Sequence, residues 1–163
     1  MSELPTNNLP AGTQAPAFNL PSTEGSPLSL SQLRGQTTVL VFYPGDFTSV
    51  CGDQLSLYNE ILPLFADYGV QILGVSVDNL ESHYAFAAER NLSFPLLADD
   101  HPLGEMARAY GVFDHHSQTC ERALFVIDGQ GVIQWSYLSP KGVNPGANGI
   151  LDALDAMKET SNE

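Results

Sequence analysis

Apolar residues fall along this chain in two rhythms. Thr38-Val39-Leu40-Val41-Phe42-Tyr43 is an unbroken β-branched and aromatic run, bounded by Gly35 before it and Pro44-Gly45 after it. It predicts a strand buried on both faces, in the middle of a mostly parallel sheet. From about Thr48 to Tyr68 the period changes. Leu55, Tyr58, Ile61, Leu62, Phe65 and Tyr68 recur at three- and four-residue steps, which marks a helix with one buried face. Pro63 within it is expected to bend it or end its regular part. Val70 to Val77 reads as a strand, Leu80 to Arg90 as a helix, Pro95 to Ala98 as a short extended piece and His101 to Tyr110 as a helix. Arg122 to Ile127 and Val132 to Tyr137 flank Asp128-Gly129-Gln130-Gly131, a hairpin signature. Ile150 to Lys158 closes the chain as an amphipathic helix. Upstream, Met1 to Ala17 is an irregular lead-in. Phe18 to Leu20 and Pro27 to Leu30 flank the turn-prone Ser22-Thr23-Glu24-Gly25-Ser26 and predict a short hairpin. Ser31 to Gly35 is long enough for one helical turn.

This order of elements predicts an α/β fold: a central mixed β-sheet with helices on both faces and an N-terminal β-hairpin. No linker or repeat divides it, so residues 1–163 are expected to form a single domain. Apolar residues make up 43% of the 163 and charged residues 15%, a globular composition. Nineteen acidic residues stand against six basic ones, a net charge of −13. A surface that negative repels phosphate, which argues against nucleic acid and anionic membranes as partners. No apolar run approaches the ~20 residues of a membrane span, and Met1 to Asn8 lacks a basic-then-apolar leader pattern. The expectation is a cytoplasmic protein whose two cysteines are kept reduced.

Cys51 stands out by position. A buried strand ends at Tyr43, a tight turn follows, and Cys51 falls in the first turn of the next helix. Helix N-termini carry unpaired N–H groups and a partial positive charge, so a thiolate there is stabilised. A small buried hydrophobe is the competing reading for any free cysteine. Thr48 lies one turn before Cys51. Its hydroxyl can face the sulfur or what the sulfur attacks, and it can also cap the helix. Pro44 ends the strand and can wall the sulfur off from water.

The segment Phe42-Tyr43-Pro44-Gly45-Asp46-Phe47-Thr48-Ser49-Val50-Cys51 resembles the active-site segment of peroxiredoxins, in which Pro, Thr and Cys stand at these spacings. Ala15-Pro16-Ala17-Phe18-Asn19-Leu20 and Leu30-Ser31-Gln32-Leu33-Arg34-Gly35 look like the family's N-terminal hairpin. Tyr110-Gly111-Val112-Phe113 and Arg122-Ala123-Leu124-Phe125-Val126-Ile127-Asp128 look like its later segments, so the likeness runs from about residue 10 to 158. The resemblance implies a thioredoxin-like fold and thiol-dependent reduction of hydrogen peroxide and organic hydroperoxides, with no cofactor and no metal. It also implies roles: Cys51 as the peroxidatic cysteine, Thr48 positioning the peroxide, Pro44 shielding the site, and Arg122 as the arginine beside the sulfur. Arginine suits that place because it stays charged and holds oxygens with a fork of donors. The oxidised cysteine then needs an external thiol, thioredoxin-like, glutaredoxin-like or of low molecular weight. A homodimer is also implied.

Two departures qualify the likeness. Where the family usually has Glu three residues after the cysteine, this chain has Gln54. The C-terminal resolving cysteine is missing, since no Cys follows Cys120, and the position five residues after Cys51 is Ser56. What remains resembles the one-cysteine branch, close to alkyl hydroperoxide reductase E-type proteins. Phe94-Pro95-Leu96-Leu97-Ala98-Asp99 fits that branch. Cys120 stays open: strand alternation puts it on the face of Arg122, either resolving Cys51 or standing by. A peroxide sensor or relay using the same thiol is the alternative function. A thiol–disulfide oxidoreductase is disfavoured because position 54 is not Cys. Asp114-His115-His116 with Cys120 has no standard metal-site spacing, Asp99-Asp100-His101 reads as a solvated turn, and Trp135 and Tyr137 as one packed strand face.

Overall fold

In the computed structural model, residues 7–161 are described, with side chains to residue 158; the first residues of the expected lead-in lie outside them. Strands β1 (Asn19–Leu20) and β2 (Leu28–Ser29) pair as the expected antiparallel hairpin, and a 3-10 turn covers Leu30–Leu33. The apolar run becomes β3 (Thr37–Phe42), every residue after Thr37 buried. Helix α1 (Ser49–Glu60) follows, then α2 (Leu62–Tyr68). They are separate helices because Ile61 leaves helical geometry at φ −102°, ψ 17°, and Pro63, which cannot donate to the preceding turn, sits in the first turn of α2. Gly69 ends α2 with a left-handed φ of 73°.

Next come β4 (Val70–Ser76), α3 (Leu80–Arg90) and β5 (Leu96–Ala98). Helix α4 covers only Glu105–Ala109 of the expected 101–110 stretch. Gly104 has a φ of 68°, outside the helical region, so the helix starts after it. Its first turn is capped by Asp99, whose two oxygens accept from the N–H groups of Met106 (3.0 Å) and Ala107 (2.9 Å). Asp99 is therefore not part of a solvated turn. It is 1% exposed, and burial pushes its carboxyl up to about 6. A small hairpin not foreseen from the sequence, β6 (Phe113–Asp114) with β7 (Thr119–Cys120), precedes β8 (Ala123–Ile127), β9 (Ile133–Leu138) and α5 (Asn148–Ser161).

One sheet organises these pieces in the order β5-β4-β3-β8-β9. β3, β4 and β5 run parallel, and β8 and β9 close the other side antiparallel. Along β3 successive side chains alternate between two cores. Leu40 and Phe42 face a layer made by the N-terminal hairpin, α4 and the β6–β7 hairpin. Val39, Val41 and Tyr43 face a layer made by α1, α2, α3 and α5. Trp135 joins that second layer and stacks on Tyr137, rings 6.1 Å apart and 7° from parallel, although Tyr137 itself is exposed. No helix among the described residues is long and apolar enough to cross a membrane.

Candidate active site

Parallel strands place the start of the following helix at their C-terminal edge, and here that edge is where β3 hands over to α1. Tyr43 still pairs with the sheet, its N–H donating to the Val75 carbonyl at 3.0 Å. Pro44 then ends the ladder. Phe47 sits in the left-handed region at φ 63°, a conformation of order 1–3 kcal/mol above its relaxed alternatives for a residue with a side chain. Thr48 is the N-cap of α1, with extended backbone, and Cys51 lies one turn on.

The capping is unusual in one respect. Thr48 caps through its backbone, the carbonyl accepting from Gly52 N–H at 2.9 Å, while its hydroxyl makes no bond to the helix and instead donates to the Gly45 carbonyl at 3.2 Å. The Thr48 side chain thus leaves the first α1 donors free of a side-chain cap, where they can meet an anion. Thr48 itself is exposed.

Arg122 reaches the sulfur because of strand register. Phe42 pairs with Ala123 across β3 and β8, so the residue before β8 stands beside the end of β3. Its Nη1 donates to Cys51 Sγ at 3.3 Å and to Gln54 Oε1 at 2.8 Å. Cys51 and Gln54 are fully buried and Arg122 is 6% exposed. A guanidinium donor against sulfur in so dry a place is little screened by water. Gln54 passes the contact on: its Nε2 donates to the Tyr58 hydroxyl at 3.0 Å, which donates to the Gly146 carbonyl at 2.9 Å. The Tyr58 phenol, pushed up to about 12 chiefly by burial, remains a hydroxyl and keeps the order of donors fixed. Arg122 Nε is buried with no hydrogen-bond partner among the described residues.

Pro44 and Arg122 also form part of the wall of a cavity of about 450 Å³, together with Cys120, Ser139 and the β6–β7 hairpin. The structure thus brings Cys51 and Arg122 into contact, sets Pro44 beside Arg122 in the cavity wall, and leaves Thr48 one turn before Cys51. Cys120 shares that cavity wall, but not the strand face expected for it. That residue closes β7, paired with Phe113, not the strand of Arg122, and its side chain belongs to the core layer on the sheet face opposite Cys51. Burial holds its thiol well above the ordinary value, and both cysteines are free. Alternation fails here because two residues separate the end of β7 from β8, and the chain changes direction between them. Asp114 serves its own turn, accepting from His116 N–H at 2.9 Å and Lys141 Nζ at 3.0 Å. Sequence reasoning missed Tyr58, although its i+4 spacing from Gln54 is a usable signal, and it missed the partners of Asp46.

Residues 11–136 match the family described as AhpC/TSA. A "Peroxiredoxin 2" of Thermoplasma acidophilum is 31% identical over 153 residues, 90% of this chain and 75% of that protein. An "Alkyl hydroperoxide reductase E" of Mycobacterium tuberculosis is 33% identical over 150 residues, 91% of this chain and 98% of that protein. The solved structure of M. tuberculosis AhpC superposes with a TM-score of 0.83 at 27% identity, covering 93% of this chain and 94% of that one. The central mixed sheet with its helices thus matches the thioredoxin-like peroxiredoxin structures. The extent of the match, carried across the strand, the helix start and the arginine just described, makes this chain a member of the AhpC/TSA peroxiredoxin family.

Proposed function

We propose that Cys51 is the reacting thiol of this thiol-dependent peroxidase, with Arg122, Thr48 and the first turn of α1 binding the peroxide and Pro44 shielding the sulfur. The observation that carries the reading is the buried contact of 3.3 Å between Arg122 Nη1 and Cys51 Sγ. The thiolate attacks one peroxide oxygen in line. A sulfur–oxygen bond forms as the O–O bond breaks. The attacked oxygen stays on sulfur as a sulfenic acid, and the other leaves with the electron pair, takes a proton from water and departs as water or an alcohol. Arg122 and the α1 N–H groups stabilise charge as it moves from sulfur to the leaving oxygen. An external thiol then forms a mixed disulfide with Cys51, releasing water, and a second thiol frees the enzyme. Cys120 lies in the other core layer, which supports an external reductant over an internal one.

The cavity of about 450 Å³ beside Pro44 and Arg122 has room for the carbon chain of an organic hydroperoxide, so both hydrogen peroxide and organic hydroperoxides fit the reading. The chain acts as one domain, pairs as a homodimer and works in a reducing cytoplasm, where thiol reductants are at hand. Peroxide consumption with a thiol reductant tests it. Wild type turns over many times and Cys51→Ser not at all. A single stoichiometric oxidation would instead mean a sensor, and a Cys51→Ser variant with normal turnover would refute the assignment.

A further inference from the structure

A buried polar cluster lies behind the loop that carries the site, and the reaction as written makes no use of it. His83, on α3, is fully buried, and the side chain of its partner Asp46 is 1% exposed. His83 Nδ1 stands 2.8 Å from Asp46 Oδ2, and Nε2 stands 2.9 Å from the carbonyl of Leu97 in β5. A carbonyl only accepts, so Nε2 donates to Leu97, while Nδ1 meets Asp46 Oδ2 and also faces the Tyr43 hydroxyl at 3.4 Å. Asp46 is otherwise surrounded by donors: the Tyr43 hydroxyl to Oδ1 at 2.7 Å and the Ser82 hydroxyl to Oδ2 at 2.8 Å. Its own N–H donates to Asp78 Oδ2 at 2.8 Å, and that oxygen also accepts from the Ser76 hydroxyl at 2.7 Å. One buried imidazole thus joins α3 and β5 to the loop after β3.

The position of Asp46 gives the cluster its meaning. Asp46 lies between Pro44 and Thr48, and the residue separating it from Thr48 is Phe47, held at φ 63°. A residue with a side chain keeps that conformation only where its surroundings impose it. Asp46 is pinned at its backbone N–H and at both carboxylate oxygens. Released, Phe47 is free to return to negative φ, and Thr48 with the start of α1 turns with it.

We infer that His83 is a positioning residue of the peroxide site: its clamp on Asp46 sets where the Thr48 hydroxyl and the first turn of α1 meet the peroxide. This rests on the roles given above to Cys51 and Thr48. Asparagine at position 83 keeps a donor near Nδ1, toward Asp46, whereas glutamine keeps one near Nε2, toward Leu97. The test compares oxidation of Cys51 by hydrogen peroxide with its alkylation by iodoacetamide, which needs the thiolate but no aligned peroxide. His83→Gln should slow oxidation by ~30-fold or more while alkylation stays within about threefold, and His83→Asn should keep oxidation within about fivefold of wild type. A purely volume-filling histidine would give the reverse order, since asparagine leaves the larger void, and that order overturns the inference. So does His83→Gln oxidising at the wild-type rate. Should His83→Gln fail to fold, Ser82→Ala, which removes one donor from Asp46 at a half-buried site, should lower the oxidation-to-alkylation ratio about threefold, and an unchanged ratio overturns the inference. A wild-type protein inert to peroxide would overturn the functional reading as well, whereas a fast wild type with an equally fast His83→Gln overturns this step alone.

Discussion

Replacing Arg122 by methionine tests the chemistry at the sulfur. The side chain keeps a similar length and loses its charge and donors. At 3.3 Å and an effective dielectric constant of about 20, the Coulomb attraction between guanidinium and thiolate is at most about 5 kcal/mol. Not all of it bears on the rate, because the arginine touches the thiolate before reaction and the leaving oxygen during it, and only the difference counts. Loss of one such donor in a dry site is worth ~100- to 1,000-fold in rate, about 3–4 kcal/mol. Stability follows different arithmetic. Removing one partner of a buried pair leaves the other without its counter-charge and costs about 3–5 kcal/mol. Gln54 Oε1 also loses its donor, a penalty of about 1–3 kcal/mol. Both terms lower stability, so the rate has to be read on folded protein. Single-turnover oxidation of Cys51, read by intact mass after quenching, should slow ~100- to 1,000-fold. The unfolding free energy should fall by about 3–5 kcal/mol, with circular dichroism confirming that the variant is folded under the assay conditions. A variant within tenfold of the wild-type rate, or one that loses rate only in step with its fold, would refute the reasoning.

Tyr58→Phe breaks the chain from Gln54 to Gly146 and leaves the Gln54 amide free to turn from Arg122; a loss of about 1 kcal/mol, roughly fivefold in oxidation rate, is expected by stopped flow. Cys120→Ala removes a buried thiol from the layer opposite Cys51; it should lower stability by ~1–2 kcal/mol yet leave the mass of the peroxide-treated monomer one oxygen heavier, and a loss of two hydrogens in the wild type would contradict this. Asp99 gives a pH effect of defined sign. Its carboxyl is raised from 3.8 to about 6, so the folded state holds the proton more tightly than the unfolded chain. That stability is complete below pH 4 and lost as pH rises through 6, by up to about 3 kcal/mol. Thermal melts at pH 4 and pH 7 should show this component in the wild type and not in Asp99→Asn, and equal pH dependence in the two would rule it out.

Elements with a strong period or a dense apolar run were legible in the sequence. The β3 run, the Leu80–Arg90 helix and the β8–β9 hairpin stand where their patterns put them, because burial on one or both faces is what those patterns record. The losses came where a local signal met a longer-range one. His101 to Tyr110 has a helical period, but Gly104 takes a left-handed turn and Asp99, from outside the stretch, supplies the cap. Cys120 and Arg122 are two residues apart, a spacing that means one face only if both lie in one strand.

The site itself divides along the same line. Pro44, Thr48 and Cys51 are legible because local backbone demands tie them together: a strand must end, a helix must be capped, and a thiolate gains from the uncapped N–H groups. Arg122 is less visible physically, since only the register of β3 against β8 brings it to the sulfur. The residues that hold the site in place are the least visible. Gln54 meets Tyr58 within α1, but Tyr58 meets Gly146 across 88 positions, and Asp46 meets His83 across 37. No period or spacing encodes such partners, because a buried polar group needs only some matching donor or acceptor, wherever the topology delivers one. The sulfur's chemistry is thus written locally, while the rigidity that makes the chemistry fast is distributed over α3, β5 and the approach to α5. A variant in those distant elements can slow the reaction without touching peroxide, sulfur or arginine.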